Sequence, residues 1–154
     1  MLFESIVSSQ GKDRIYFIDP YDQIKKGYFQ FDALQISNLA KLFRKMQHIS
    51  EGVASEKIFS TLDKYTSSNL RSMYGRMVVV HLIPDEYLEK TSYTIVQGST
   101  VYFIDMIHME ATIITNPKVA QSMTNLIIGL IHFGKKIDLS HHIKKILSDR
   151  GEVV

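Results

Sequence analysis

Residues Met77 to Ile83 read Met-Val-Val-Val-His-Leu-Ile, an almost continuous apolar run of strand length that Pro84-Asp85 brings to a stop. A half-exposed strand would alternate apolar and polar residues, so this run predicts a strand covered on both faces. Such a strand needs helices packed against its sheet. With 154 residues, 45% of them hydrophobic, the chain is long enough to build one such core, and a single domain over residues 1–154 is expected.

The rest of the chain supplies the layers. Arg14 to Ile18 is β-branched and aromatic and ends at Asp19-Pro20, which predicts a buried strand followed by a turn. From Asp32 the period becomes helical: Leu39, Leu42, Phe43, Met46 and Ile49 form a stripe, and the outer face of a helix over about 33–48 carries Lys41, Arg44, Lys45 and His48. Gly52 breaks the chain, and a second helical segment is expected over about 54–65, with Ile58, Leu62 and Tyr65 inward. Tyr93 to Val96 and Thr100 to Ile104 flank Gln97-Gly98-Ser99, a hairpin signal, and a further strand is expected over 110–115. Asn116-Pro117 is an N-cap with proline at the first helical position and opens a helix to about 133, stopped by Gly134. Ser140 is the expected cap of a last helix over 141–149, with Ile143, Ile146 and Leu147 inward. The predicted order is β-α-α-β-β-β-β-α-α: a small mixed β-sheet with helices packed on it, an α/β or α+β fold.

Composition removes several classes of function. The absence of cysteine excludes disulfides, thiolate metal sites and cysteine nucleophiles. A net charge of +2 is too small to imply nucleic acid unless the charge is clustered. Met1 to Gln10 lacks the features of a secretory signal, and the longest apolar stretch, Leu126 to Phe133, falls far short of the ~20 residues of a membrane span. A cytoplasmic protein without a membrane partner is therefore expected.

The second half of the chain resembles a known family. Val78 to Ile83, the hairpin Tyr93 to Asp105, and Ala111-Thr112-Ile113-Ile114-Thr115-Asn116-Pro117 with its helix look like the effector half of TrmB-type archaeal transcription regulators, whose fold is similar to that of phospholipase D. The resemblance places Arg14 to Asp19 and the helix after it as the opening strand and helix of the half-domain. It implies a non-catalytic regulatory domain, linked to transcription regulation, that senses a small ligand such as a sugar. No ligand residues carry over.

The phospholipase D superfamily is marked by His-x-Lys-x-x-x-x-Asp, in which the histidine attacks phosphorus and the lysine stabilises the phosphoryl oxygens. That string occurs at His142, Lys144 and Asp149, which defines the alternative reading, a phosphodiesterase or nuclease working as a dimer. In the family the histidine and lysine alternate along a strand, whereas here Ile143, Ile146 and Leu147 give a helical period. No catalytic residue is favoured on that ground.

Other candidates come from position and charge. Asp19, Tyr21 and Asp22 follow the first strand, and in open α/β sheets ligands gather beyond strand carboxyl ends; these three are the expected ligand-binding residues. Lys135, Lys136, Lys144 and Lys145, with Lys41, Arg44 and Lys45, are the residues a weak nucleic-acid-binding module would use. Asp105, His108 and Glu110 lie close in sequence, but a turn with a solvated histidine is the expected reading, and no metal or cofactor is expected. His81, inside its apolar strand, is expected to be buried and neutral. The helix opened by Asn116-Pro117 is apolar over more than one face, and Gly129 within it suggests close backbone approach. A homodimer with Ile128, Gly129 and His132 at its interface is expected.

Overall fold

A computed structural model describes residues 14–23, 25, 38, 41, 45 and 48–153. Its centre is a seven-stranded mixed sheet in the order β6-β5-β4-β1-β2-β3-β7, from β1 (Ile15–Asp19), β2 (Ser50–Ser55), β3 (Val78–Ile83), β4 (Tyr93–Gln97), β5 (Thr100–Asp105), β6 (Glu110–Thr115) and β7 (Lys135–Ile137). β1, β2 and β3 run parallel, and β4, β5 and β6 form an antiparallel meander joined to β1; β7 closes the other side antiparallel to β3. The expected α/β architecture is present, with two strands more than the sequence predicts.

Those two strands, β2 and β7, correct the sequence reading. Ser50-Glu-Gly-Val-Ala-Ser55 has little β propensity and contains the glycine that was expected to break the chain. It lies between β1 and β3 with both edges paired, so its neighbours impose the conformation. Gly52 is required there for space: a Cβ would stand 2.1 Å from the Phe17 carbonyl oxygen and 2.7 Å from its ring. β7 is only Lys-Lys-Ile, too short for a periodic signal.

Four α-helices are described over their full length, and Tyr21 to Gln23 begin a helical segment after β1. The chain leaves β2 through a 3-10 turn at Glu56–Ile58 into α1 (Phe59–Leu62), which shortens the helix expected over 54–65; α2 (Ser67–Met73) follows, capped by the Thr66 side chain. α3 (Pro117–Phe133) starts where predicted, with the Asn116 side chain accepting from the N–H groups of Lys118 and Val119. α4 (Leu139–Asp149) is capped by Asp138 rather than Ser140, because the helix begins two residues earlier than expected. Of the helix predicted over 33–48, Asn38, Lys41 and Lys45 are helical, while Leu39, Leu42, Phe43, Arg44 and Met46, like Met1 to Gln10, lie outside the described residues. His48 was expected on the solvent face of that helix; it is buried, in non-helical backbone next to β2.

α3 covers one sheet face. Ala120 and Ile127 pack with Val96 and Val101, while Leu130 and Ile131 reach Val53, Ile83 and Leu88. On the other face Ile15, Phe17, Ala54, Val80, Ile95 and Ile104 are buried. α1, α2 and α4 build a cluster of their own around Leu62, Leu70, Ile143 and Leu147. Arg150 ties that cluster together by donating to the carbonyls of Tyr65 and Asp63 at 2.9 and 2.7 Å.

Candidate binding site at the carboxyl end of the parallel strands

Three parallel strands in order deliver their last residues to one end of the sheet, and the antiparallel strands add the start of β4 and the end of β5. Register pairs Asp19 with Ala54 and Ser55 with Ile83, and it places Tyr93 beside the end of β1 and Asp105 two strands away. Asp19, Ser55, Tyr93 and Asp105 therefore line one end, together with Tyr21 to Gln23 and Asp85 from the segments that follow β1 and β3.

Asp19 holds the middle. Its Oδ1 is buried and receives no hydrogen bond among the described residues. Burial pushes the carboxyl up to about 7, against the opposing pull of the Arg76 charge and a hydrogen bond with Tyr93. A carboxyl in this condition is half ionised near neutrality and keeps an unused acceptor. Both properties suit recognition of a hydrogen-bond donor.

Two arms flank it, and in both the polar groups satisfy one another. On the β2–β3 side Ser55 Oγ donates to Asp85 Oδ1 at 2.5 Å and Lys57 Nζ to Oδ2 at 2.5 Å, while the Lys57 ammonium stands 6.0 Å from the Tyr21 ring centre. Partial burial pushes Asp85 upward, but the Lys57 and Ser55 hydrogen bonds outweigh it and hold the carboxyl below its usual range; Asp85 in turn raises Lys57. On the β5 side the buried Gln23 donates from Nε2 to Asp105 Oδ1 at 3.5 Å and accepts the Met106 N–H on Oε1 at 2.6 Å. Asp105 also takes the backbone N–H groups of Ile107 and His108 and meets His108 Nδ1 at 2.7 Å. The His108 hydrogen bond, helped by those N–H groups and Gln23, holds the Asp105 carboxyl down to about 2.

Of the ligand residues expected from sequence, Asp19 is central, Tyr21 is half-buried beside Lys57, and Asp22 is exposed. Ser55, Lys57, Asp85, Tyr93 and Gln23 were not anticipated. The strand-end rule finds Ser55 only once β2 is known to be a strand. Tyr93 was visible as the first residue of a hairpin, but nothing local shows that β4 pairs with β1.

The remaining candidates disperse. His142 and Lys144 lie two residues apart on α4, about 200° around the helix axis, so they do not share a face as the alternating strand of the phospholipase motif requires. Lys135 and Lys136 are neighbours on β7 and point to opposite faces, and Lys41, Lys45, Lys144 and Lys145 are exposed on other elements. Asp105 and His108 are joined in the β5–β6 turn while Glu110 is exposed at the start of β6, and no group of three or more His, Asp or Glu side chains among the described residues is placed to hold a metal ion. His81 is buried with Nε2 3.2 Å from Glu51 Oε1, the single polar partner anticipated for it. On α3, Ile128 and Gly129 are half-buried and His132 is exposed, and a Cβ at Gly129 would meet nothing within 4 Å among the described residues, so none of their backbone outside the helix approaches it closely. No described helix is long and apolar enough to cross a membrane. No family model, curated protein or solved structure matches this chain.

Proposed function

We propose that the chain is a non-catalytic regulatory domain that senses a small ligand at the carboxyl end of its parallel strands, working in the cytoplasm as a pair of copies in transcription regulation. The observation that carries this reading is the buried Asp19 Oδ1, which receives no donor among the described residues, in a strand-end row where the carboxylates of Asp85 and Asp105 are hydrogen-bonded. Leaving a buried acceptor unpaired costs stability, and a ligand that donates to it recovers that cost. Tyr93, hydrogen-bonded to it, and Tyr21, two residues further along the chain, supply rings at this end of the sheet, and an acceptor with aromatic groups at hand fits a donor-rich neutral molecule, a sugar or related polyol. That ligand class agrees with the resemblance to TrmB-type effector domains. A phosphodiesterase reading has no shared face for His142 and Lys144 to act from.

Calorimetric titration with a panel of mono- and disaccharides near neutral pH tests the site. At least one sugar is expected to bind, with affinity reduced about tenfold or more in Asp19→Asn, where one acceptor oxygen becomes a donor. No binding across the panel, or binding indifferent to Asp19→Asn, would overturn the assignment.

A further inference from the structure

β6 ends the sheet as an unguarded strand. It is six residues long, all but one of them exposed, and it contains no lysine and no proline; Glu110 at its start is its single charge. The opposite edge, β7, is three residues long with two lysines. Short length and lysine are what keep sheet edges from pairing with other chains, and β6 has neither.

The hydrogen-bond pattern shows what the open edge offers. Thr115 lies opposite Thr100, and the Asn116 N–H donates to the Ser99 carbonyl at 2.9 Å, so Ser99 and Asn116 form a hydrogen-bonded pair. Such pairs alternate along an antiparallel ladder, so Ile114, Thr112 and Glu110 also spend their main-chain groups on β5. Ala111, Ile113 and Thr115 turn theirs to the open edge. Their side chains share a sheet face with Tyr102 and Ile104, and Ile113 is 53% exposed.

From this we infer that β6 is a dimerisation edge whose occupant is β6 of a second copy, antiparallel, about a two-fold axis that passes between the two Ile113 residues. It deepens the two-copy part of the functional reading and does not depend on the ligand. A two-fold axis perpendicular to the sheet keeps each side chain on its own face, which allows only registers that pair residues of the same parity. Among these, pairing Ile113 with itself and Ala111 with Thr115 engages all three outward residues, each pair exchanging two main-chain hydrogen bonds. Shifting by one step, with Thr112 on the axis, leaves Thr115 outside the ladder. In the favoured register Thr112 faces Ile114 and Glu110 faces Asn116 near Lys118, so no like charges oppose one another. The result is one continuous sheet of fourteen strands with β7 and its lysines at both outer edges.

A residue that meets its own copy on the axis permits a sharp test. In sedimentation velocity at micromolar concentration the wild type is expected to be a dimer, and Ile113→Lys, which sets two ammonium groups face to face, a folded monomer by circular dichroism with affinity at least about tenfold weaker. Ile113→Glu is expected to behave the same alone, and mixing the two variants to restore a heterodimer, which a merely damaged fold would not do. Ile128→Glu on α3 is expected to leave the dimer intact. If Ile128→Glu dissociates the dimer and the Ile113 variants do not, the edge assignment is wrong and the helix face takes its place. A monomeric wild type overturns pairing altogether while leaving the sugar titration to stand or fall by itself.

Discussion

The two halves of the sheet solve opposite problems. The parallel half, β1-β2-β3 with β7, is held by distant parts of the chain, so that Ser50 pairs with Ile15 and Val78 and its central strand has no neighbour that is local in sequence. The antiparallel half, β4-β5-β6, is built from two tight connections and closes itself. Their ends differ as well. The parallel half finishes in Asp19, an acid that burial pushes up to about 7, and the antiparallel half in Asp105, an acid that its donors hold down to about 2. Two aspartates at the same end of one sheet are thus driven in opposite directions, one by burial and the other by the donors around it. The half that needs long-range pairing keeps one oxygen of its last carboxyl without a donor among the described residues, while the half that closes locally satisfies its carboxyl and leaves an edge open.

Glycine substitution should break this contrast most visibly. Gly52→Ala drives a methyl group into the Phe17 carbonyl and is expected to cost at least about 3 kcal/mol, enough to unfold a marginal domain. Gly98→Ala, in the hairpin turn at φ +56°, carries the left-handed backbone penalty of about 1 kcal/mol and is expected to cost less. Urea titration of both variants checks the ranking, and equal costs would show that the parallel half is no more tightly specified than the hairpin.

The Asp19 carboxyl gives a smaller effect with a defined pH dependence. Its pKa is raised on folding, so the native state holds the proton more tightly than the unfolded chain, and stability is full below about pH 4 and falls as pH rises toward 7. The rise from 3.8 to about 7 makes Asp19→Asn a stabilising change at pH 8 in the absence of ligand, with the gain vanishing near pH 4. Thermal melts at the two pH values measure it, and a gain that is the same at both would remove the buried-acid explanation.

The smallest effect is expected at Asp105. There the native pKa is lowered, so its contribution is present above pH 4 and lost as pH falls toward 2. His108→Ala should move the Asp105 titration upward toward 3.8, read by carbon NMR, while Asp19 keeps its midpoint. Movement of both would mean that the two halves share one electrostatic environment.

What the sequence disclosed follows the same division. The hairpin around Gly98, the strand from Glu110 and the helix opened by Asn116-Pro117 appear where expected, because turn chemistry and capping act over a few residues. β2 was hidden because Ser50, Glu51, Gly52 and Ala54 become a strand only between β1 and β3, and with it Ser55 and its link to Asp85 stayed out of the expected site. Asp19 was legible from its place after an apolar run. That its carboxyl is buried between Arg76 and Tyr93, with Oδ1 receiving no donor among the described residues, was not, since those two lie more than fifty residues away in the chain.

Gln23 joins these regions through a single amide. Its Oε1 and Nε2 are both committed, one to the Met106 N–H and the other to Asp105, so the segment that leaves β1 and the turn that starts β6 separate together or not at all. In hydrogen-exchange terms the Met106 amide proton is released only when the chain four residues beyond Asp19 lifts away, and its exchange rate reports from the far side of β4 on what happens at the end of β1.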